Sequence, residues 1–403
     1  MPIPKVAVVG IGHSKYGKRG KVIEEDIEGK KATYPQVTIR ELAAESYFPA
    51  LKHAGLTNKD IDASVVGIAA EAFAGQGAAA ALVVDELGLV GKPTMRVEAA
   101  CATGSTAFRA GWAQVASGEF DTVAVIGVET MNWVSSAYAT ELMSMAGDHR
   151  WEYIYGISFP TFYSLYAARK MEVDGLTREQ LSSVPVKSHY YGYYNPLAHL
   201  RRKITIEEAN EAVPIALPLR LYDCCLISDG AAAVIITNEK KAKQMKVEPL
   251  WVTGLGCSTD TMRVTDRPQL TNLEGAQRAA QMAYKQSGKT PKDIDVAYVH
   301  DCFSIAEIMA YEDLGFCPRG QGGKWSAERG AYIDGPGVPV NVDGGLKSKG
   351  HPLGATGIGQ IVDCYKQVFG KAEKPRQVPD CKVALAHNVG QHGQFVNVFI
   401  FEP

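Results

Sequence analysis

The sequence predicts an α/β protein built from two related halves. Short apolar runs typical of buried strands alternate with segments in which alanines and large apolar residues recur at three and four positions, as on one face of a helix. In addition, one nine-residue pattern occurs twice, in residues 54–62 and 287–295. Alternation of this kind favours helices layered on sheets of buried, mostly parallel strands.

The N-terminal elements follow from this periodicity in chain order. Residues 1–10 predict a first strand and no signal peptide, because the apolar run is short and glycine ends it. Residues 14–36 are charged and predict an exposed excursion. The elements predicted here are strands at 5–9, 64–69 and 122–128 and helices at 38–54 and 105–117.

The repeated pattern places the same signals in the same order in both halves. Gly55 and Gly288 each follow an alanine-rich helix, as glycine commonly does at a helix C-terminus. Asp-Ile-Asp then precedes an apolar strand, and Asp60 corresponds to Asp293 without a gap. We therefore predict two halves, residues 1–245 and 246–403.

An insertion interrupts the first half at residues 132–217. It is rich in tyrosine, tryptophan and phenylalanine and is too long for a structureless loop, so an inserted helical subdomain is predicted. Its aromatic residues either form a core of its own or line an apolar pocket for an acyl group.

Composition excludes several classes of protein. With 42 Lys+Arg against 44 Asp+Glu, the chain lacks the positive charge of nucleic-acid and anionic-membrane binders. No apolar run approaches the ~18 residues that span a bilayer. The eight cysteines are scattered without a Cys-x-x-Cys pair, which predicts free thiols and a cytoplasmic location.

Two segments carry a nucleophile and a base. Cys101 lies where a strand gives way to a helix of small residues, and helix N-termini favour a thiolate. His351 lies in a glycine-rich turn and is either a solvated histidine or a base within reach of a nucleophile. The turn lacks the phosphate-binding pattern Gly-x-x-x-x-Gly-Lys-Ser/Thr.

Two further segments end predicted strands of the second half. His300, Asp301 and Cys302 follow one strand, where open α/β sheets place their sites. Adjacent residues rarely point to one ion, so no metal site is predicted, and two of the three are expected to face a cleft. Residues 387–393 are either a plain turn or a loop that presents N–H groups.

Together these segments resemble the thiolase superfamily over essentially the whole chain. The motifs that carry the likeness, in thiolase order, are Cys101-Ala-Thr-Gly104, Asn195-Pro-Leu-Ala198 before Thr205-Ile-Glu-Glu208, Ser228-Asp-Gly-Ala-Ala-Ala-Val234 and Gly350-His-Pro-Leu-Gly-Ala-Thr-Gly357. His300-Asp-Cys-Phe303 and Asn388-Val-Gly390 replace the Asn-Glu-Ala-Phe and Cys-x-Gly of many thiolases. This pair resembles the sterol-carrier-protein-type thiolases and their archaeal and bacterial relatives, although His392 departs from the small residue expected there.

The resemblance implies a duplicated fold of five αβαβα layers with a helical loop domain. It implies Cys101 as the nucleophile, His351 as its base, Cys302 as the acid or base for the α-proton, and His300 at the enolate oxygen. Backbone N–H groups of Cys101 and Gly390, with Asn388 beside them, are expected to bind the tetrahedral oxygen. CoA is implied as a co-substrate with no permanently bound cofactor, and the residues that bind its nucleotide are left unassigned.

The implied activity is an acyl-CoA C-acyltransferase that cleaves a β-ketoacyl-CoA with CoA. The aromatic insertion favours a bulky substrate such as benzoylsuccinyl-CoA from aromatic degradation, and acetoacetyl-CoA is the alternative. A CoA-independent C-acyltransferase also stays open, as does a non-catalytic scaffold, which has no need of two cysteines and a histidine. The resemblance implies a homodimer, or a heterotetramer with a small zinc-ribbon/OB-fold subunit.

Overall fold

A computed structural model of the chain describes residues 4–19, 22–27, 30–35 and 37–403. The exposed excursion predicted for residues 14–36 falls partly outside these residues. At its described start the prediction is wrong, because Ser14 and Tyr16 are buried, and for the rest it stays a prediction. Within the described ranges, no helix has both the length and the apolar character needed to cross a bilayer.

The described residues form strands and helices in the following order. The strands are β1 (Val6–His13), β2 (Val22–Ile27), β3 (Lys30–Pro35), β4 (Ala63–Gly67), β5 (Thr94–Val97), β6 (Thr122–Thr130), β7 (Pro214–Ala216), β8 (Leu219–Arg220), β9 (Asp229–Asn238), β10 (Leu250–Thr259), β11 (Val296–Tyr298), β12 (Ala384–Gly390) and β13 (Phe395–Glu402). The helices are α1 (Ile39–Ala54), α2 (Glu71–Ala74), α3 (Ala79–Glu86), α4 (Thr103–Ala116), α5 (Ser136–Ser144), α6 (Phe159–Asp174), α7 (Arg178–Tyr194), α8 (Ile206–Glu211), α9 (Glu239–Ala242), α10 (Glu274–Ser287), α11 (Ser304–Asp313), α12 (Gly322–Ala327), α13 (Gly345–Ser348) and α14 (Leu353–Val368). The strands and helices predicted up to residue 128 are thereby confirmed.

The chain divides into two compact units, of which the first comprises Met1–Leu142, Ile227–Val247 and His351–Val362. Its mixed sheet has the strand order β1-β9-β6-β4-β5. Strand β9 runs antiparallel to β1 and β6, whereas β4 runs parallel to β5 and β6. Helix α1 packs on β1 and β9, and α4 packs on β4 and β6, so both helices cover buried strands.

The second unit comprises Met143–Leu226, Glu248–Gly350 and Asp363–Pro403. Its sheet has the order β11-β12-β13-β10, with β13 antiparallel to both neighbours and β11 parallel to β12. Helix α10 packs on β10 and β13. The predicted halves, divided at residue 245, are continuous in sequence, whereas each compact unit combines three stretches of the chain. The predicted division stays a prediction.

The internal repeat is confirmed by the topology of each unit. The order β10-β13-β12-β11 repeats β1-β9-β6-β4 with the same relative strand directions. A capping box joins Thr57 to Asp60, and a second one joins Thr290 to Asp293. Each repeat therefore ends its first helix and enters its next strand through the same local hydrogen bonds.

Glycines set the same close contact between helix and strand in both units. A Cβ added to Gly12 would lie 1.9 Å from the carbonyl oxygen of Ser46 on α1. A Cβ added to Gly256 would lie 1.8 Å from the carbonyl oxygen of Ala279 on α10. Only glycine allows the helix backbone to come this near to the strand.

The expectation of mostly parallel strands is wrong. Among the described strand pairs within the two units, antiparallel neighbours outnumber parallel ones. Periodicity detects the helical crossovers that join parallel strands, but hairpins and long returns produce antiparallel pairs. Strands β12 and β13, for example, are joined directly by residues 391–394.

The inserted segment is helical, as predicted, with α5 to α8 in it. Some of its aromatic side chains pack on loops outside the segment. The aromatic residues therefore do more than form a core within the insertion. Tyr163 stacks on Phe303 at 4.8 Å between ring centroids, and Phe162 stacks on His392 at 4.2 Å. The hydroxyl of Tyr163 also donates to the carbonyl oxygen of Gln391 at 2.7 Å.

Candidate active site

Cys101 lies in a strained turn between β5 and α4. It is the middle residue of a single 3₁₀ turn, and the preceding Ala100 has a φ of 49°. A residue with a Cβ rarely adopts this left-handed conformation, and such strain needs support from its surroundings. Thr103 provides support, because its Oγ1 accepts from the N–H of Ala99 at 2.9 Å and donates to the carbonyl of Ala100 at 2.6 Å.

The turn places the Cys101 thiol at the N-terminal end of α4. Cys101 is buried, and the helix begins two residues later at Thr103. The partial positive charge of a helix N-terminus favours a thiolate over a thiol. The predicted position of Cys101 at a strand–helix junction is therefore confirmed, and its role as a nucleophile stays a prediction.

His351 approaches Cys101 within the same unit. Its backbone N–H donates to Oγ of Ser228 at 3.2 Å. The imidazole is buried, and one of its ring nitrogens lies within 4.8 Å of the Cys101 sulfur. Two of the residues singled out in the sequence, although 250 positions apart in the chain, are thus neighbours.

The hydrogen bonds around Thr356 determine the tautomer of His351. Nδ1 of His351 lies 2.7 Å from Oγ1 of Thr356, and that hydroxyl donates its proton to the carbonyl oxygen of Pro352 at 2.9 Å. Since the hydroxyl proton is used, Oγ1 must accept from Nδ1–H. The neutral imidazole then carries its proton on Nδ1, which makes Nε2 the basic nitrogen.

Glycines let the His351 turn enter between the strand ends of the first unit. A Cβ on Gly127 would lie 2.1 Å, and one on Gly104 2.6 Å, from the carbonyl oxygen of Gly354. A Cβ on Gly354 itself would lie 2.5 Å from the carbonyl oxygen of Gly67. Backbone-to-backbone contact of this kind fixes where the turn begins and ends.

Glu129, which was not predicted from the sequence, binds the same turn. Its wholly buried carboxylate accepts from the N–H groups of Ala69 at 2.9 Å, Ala70 at 3.3 Å and Gly354 at 2.9 Å. Burial raises the pKa of Glu129 to about 7, although these N–H groups and Arg96 act in the opposite direction. Glu129 is the one acidic residue near the end of the buried strand β6, and this position was the sequence signal that could have identified it.

The second unit holds His300 and Cys302, both buried, in the loop between β11 and α11. Nδ2 of Asn388 lies 3.0 Å from Nδ1 of His300. With the amide as donor, Nδ1 accepts and the ring proton of neutral His300 is on Nε2. Neutral His300 therefore carries a donor at Nε2, whereas neutral His351 carries a basic nitrogen at Nε2.

Asp301 anchors the loop through its contacts with Leu346 and Lys347. Its Oδ1 accepts from the N–H of Leu346 at 2.9 Å, and its Oδ2 lies 3.2 Å from Nζ of Lys347. Burial raises the pKa of Asp301 to about 6, and the Lys347 ammonium offsets part of this effect. The N–H of Cys225 donates to the carbonyl of Cys302 at 2.8 Å and holds the other side of the loop.

The expectation of a turn or loop over residues 387–393 is corrected in part. His387, Asn388 and Gly390 belong to β12 and pair with β13, because the apolar strand continues through these polar side chains. The turn begins only at Gln391. Burial lowers the pKa of His387 to about 3, and its Nδ1 accepts from the backbone N–H of His300 at 3.5 Å.

Family models match both halves of the chain. The thiolase N-terminal domain matches residues 25–240, and the thiolase C-terminal domain-like family matches residues 256–403. The resemblance noted from the motifs is thereby confirmed at the level of the superfamily.

Curated relatives and a solved structure agree with this assignment. The acetyl-CoA acetyltransferase of Methanothermobacter thermautotrophicus is 40% identical over 98% of this chain and 99% of its own length. Sterol carrier protein 2 of Bos taurus is 34% identical over 97% of this chain and 71% of its own length. The solved structure of an "Ltp2-ChsH2(DUF35) aldolase" covers 100% of this chain and 98% of its own with a TM-score of 0.82 and, at 23% identity, shows the fold alone.

The two family models together span most of the chain, and they describe the two repeated halves that the topology shows. The acetyl-CoA acetyltransferase is matched over almost the whole of both chains. This chain therefore belongs to the thiolase superfamily and is an acyltransferase of the thiolase fold.

Proposed function

We propose that the enzyme cleaves or forms β-ketoacyl-CoA thioesters through an acyl group carried on Cys101. The observation that supports this most is the approach of His351 to the Cys101 sulfur at the N-terminal end of α4. Nε2 of His351 takes the thiol proton, and the thiolate attacks the keto carbon of the substrate. A buried thiolate beside an imidazole and a helix N-terminus is a strong nucleophile near neutral pH.

Attack is followed by cleavage of the carbon–carbon bond. Its electron pair moves to the α-carbon and leaves the enolate of a shorter CoA thioester, while the acyl group stays on Cys101. A proton from Cys302 converts the enolate to the released acyl-CoA, and the thiolate of a second CoA then takes the acyl group. In condensation the steps reverse, and Cys302 removes the α-proton.

Oxyanions form in both stages. We propose that Nε2–H of His300, oriented by Asn388, binds the enolate oxygen. For the tetrahedral oxygen, the proposed donors are the backbone N–H groups of Cys101 and Gly390. One such donor typically contributes ~3 kcal/mol to the transition state.

Acetoacetyl-CoA is the first substrate that we propose, with acetyl-CoA as the product. The 40% identical relative is named acetyl-CoA acetyltransferase, and the match extends over both whole chains. A bulky aromatic acyl group such as that of benzoylsuccinyl-CoA is the second. Its only support is the aromatic insertion, whose buried Tyr163 is already engaged with Phe303 and Gln391.

Two assembly states belong to the same proposal. A homodimer is proposed from the family. A small partner subunit of the zinc-ribbon/OB-fold type gains support from the similar aldolase structure, whose name joins two proteins, Ltp2 and ChsH2. Purification with and without a candidate partner, followed by mass measurement in solution, distinguishes the two states.

The proposed roles are tested by separating acylation from proton exchange. Cys101→Ala should abolish both acylation and CoA-dependent cleavage across a panel of short aliphatic to aromatic β-ketoacyl-CoA thioesters. Cys302→Ala should still be acylated by acetyl-CoA but should not exchange the α-protons of an acyl-CoA with deuterium. Cys381→Ala is the matched control, because Cys381 is likewise a buried cysteine. Normal exchange in Cys302→Ala would rule out its role.

A further inference from the structure

We propose that Glu129 is a positioning residue that sets the rate of acylation at Cys101 by holding the turn that carries His351. The inference rests on the proposed function, since it assumes that Cys101 is the nucleophile and His351 its base. Glu129 itself touches neither the substrate nor the reacting atoms in this account.

The carboxylate joins two separate segments to the end of β6. Ala69 and Ala70 follow β4, and their N–H groups point to its two oxygens at 2.9 and 3.3 Å. Gly354 belongs to the first turn of α14, and its N–H points to the same oxygen as that of Ala69, at 2.9 Å. One side chain therefore fixes the start of the helix that follows His351.

A neutral amide cannot make these three contacts. Backbone N–H groups cannot reverse their polarity, and a glutamine at position 129 would offer one acceptor atom in place of two. Its NH₂ group would then face at least one of the donors on Ala69, Ala70 or Gly354. A negative charge also suits the N-terminal end of the 16-residue helix α14.

The turn transmits any displacement of Gly354 to His351. The carbonyl oxygen of Gly354 is held against Gly127 and Gly104, where a Cβ would come within 2.1 and 2.6 Å of it. His351 is three residues away, and the Thr356 hydroxyl that orients its ring is two residues beyond Gly354. A misplaced base slows proton transfer steeply, because a displacement of about 1 Å can cost ~100-fold in rate.

The charged surroundings of Glu129 come from several elements. Arg96 on β5 is the nearby cation, but its guanidinium donates to the carbonyl of Ile68 at 3.1 Å and lies 3.6 Å from Glu71. Asp229 on β9 accepts from the N–H of Asn132 at 2.8 Å. His351 lies on the turn itself. Within the part of the chain that the structure describes, Glu129 is thus held by backbone N–H groups and forms no direct ion pair.

These contacts make the positioning sensitive to pH. Because burial raises the pKa of Glu129 to about 7, the carboxylate gains a proton as the pH falls through this value. The protonated group turns one acceptor into an O–H donor that faces N–H groups. Acylation should therefore slow below about pH 7 through Glu129, in addition to the effects of Cys101 and His351.

Asp313 on α11 provides a matched control. It is also a buried carboxylate whose pKa burial raises to about 7. It accepts from the N–H of Leu273 at 2.9 Å and from Nε2 of Gln277 at 2.7 Å. Gln277 can rotate its amide to present oxygen, so Asp313→Asn keeps both hydrogen bonds where Glu129→Gln cannot.

The test compares Glu129→Gln with Asp313→Asn in full-length enzyme. Two rates are measured between about pH 5.5 and 8.5: alkylation of Cys101 by iodoacetamide, and single-turnover acylation by acetyl-CoA. Glu129→Gln should slow acylation about tenfold or more with little change in the apparent KM for acetyl-CoA, and should lose the component that titrates near pH 7. Asp313→Asn should keep the wild-type rates and profile.

Equal rates and equal pH profiles in the two variants would overturn the inference. If Glu129→Gln does not fold, Glu129→Asp is tested in its place, because it keeps the charge but withdraws the carboxylate oxygens by one methylene. Acylation at the wild-type rate in Glu129→Asp would also overturn the inference. The proposed function fails separately, if wild-type enzyme forms no acyl group on Cys101. A wild type that acylates while Glu129→Gln acylates equally fast defeats only the positioning role.

Discussion

Nζ of Lys347 lies 3.2 Å from Oδ2 of Asp301, and both side chains are wholly buried. The ion pair anchors the segment before His351 to the loop that carries His300 and Cys302. Breaking a buried pair by removing one partner leaves an uncompensated charge, which costs about 3–5 kcal/mol.

We therefore predict that Lys347→Met lowers the free energy of unfolding by about 3–5 kcal/mol in urea denaturation. The control is Lys324→Met, which removes an exposed pair with Glu328 and should cost less than about 1 kcal/mol. A double variant with Asp301→Asn should recover part of the loss, since the orphaned carboxylate is gone. Equally small losses of stability in Lys347→Met and Lys324→Met would contradict the anchoring role.

Asp313 predicts a defined dependence of stability on pH. Because its pKa is raised from 3.8 to about 7 in the folded protein, the folded state binds the proton more tightly than the unfolded state does. Its contribution to stability is present at low pH and is lost as the pH rises from about 4 to about 7. Between about pH 5 and 8, wild-type protein should lose roughly 2 kcal/mol more stability than Asp313→Asn. Parallel urea curves for the two proteins at every pH would show that Asp313 does not titrate there.

We predict that the hydroxyl of Tyr163 stabilises the folded protein. Tyr163→Phe keeps the stack on Phe303 but removes the donor to the Gln391 carbonyl. Leaving that buried acceptor without this partner should cost about 1–3 kcal/mol in the free energy of unfolding. Tyr155→Phe, at a tyrosine that is 71% exposed, is the matched control and should change stability by less than about 0.5 kcal/mol. Equal changes in both variants would mean that this hydrogen bond stabilises nothing.

Much of the fold was predictable because its signals are local. The helix ends at Gly55 and Gly288 depend on residues within a few positions, and both were predicted correctly. Strand direction depends on how distant segments return to the sheet, so the antiparallel pairs of β9 and β13 were not predicted. The same limit explains why His387 to Gly390 were not assigned to a strand.

In the candidate site, the residues proposed to react were easier to predict than the residues that hold them in place. Cys101 stands out by its residue type and its small neighbours, and His351 stands out by its glycine-rich turn. The two residues are neighbours in the first unit. Glu129 was not predicted, because the three N–H groups that donate to it lie on segments about 60 and 225 positions away in the sequence. The partners of Asp301 were equally invisible, since Leu346 and Lys347 contact it only in the folded chain.

The most direct test of the central claim is to locate the covalent intermediate. Wild-type enzyme, Cys101→Ala and Cys302→Ala are mixed with acetyl-CoA, quenched in acid, digested and analysed by mass spectrometry. We expect an acetyl group on the peptide containing Cys101 in wild type and in Cys302→Ala, and none on any cysteine in Cys101→Ala. An acetyl group on another cysteine in wild type, or sustained turnover by Cys101→Ala, would contradict this claim.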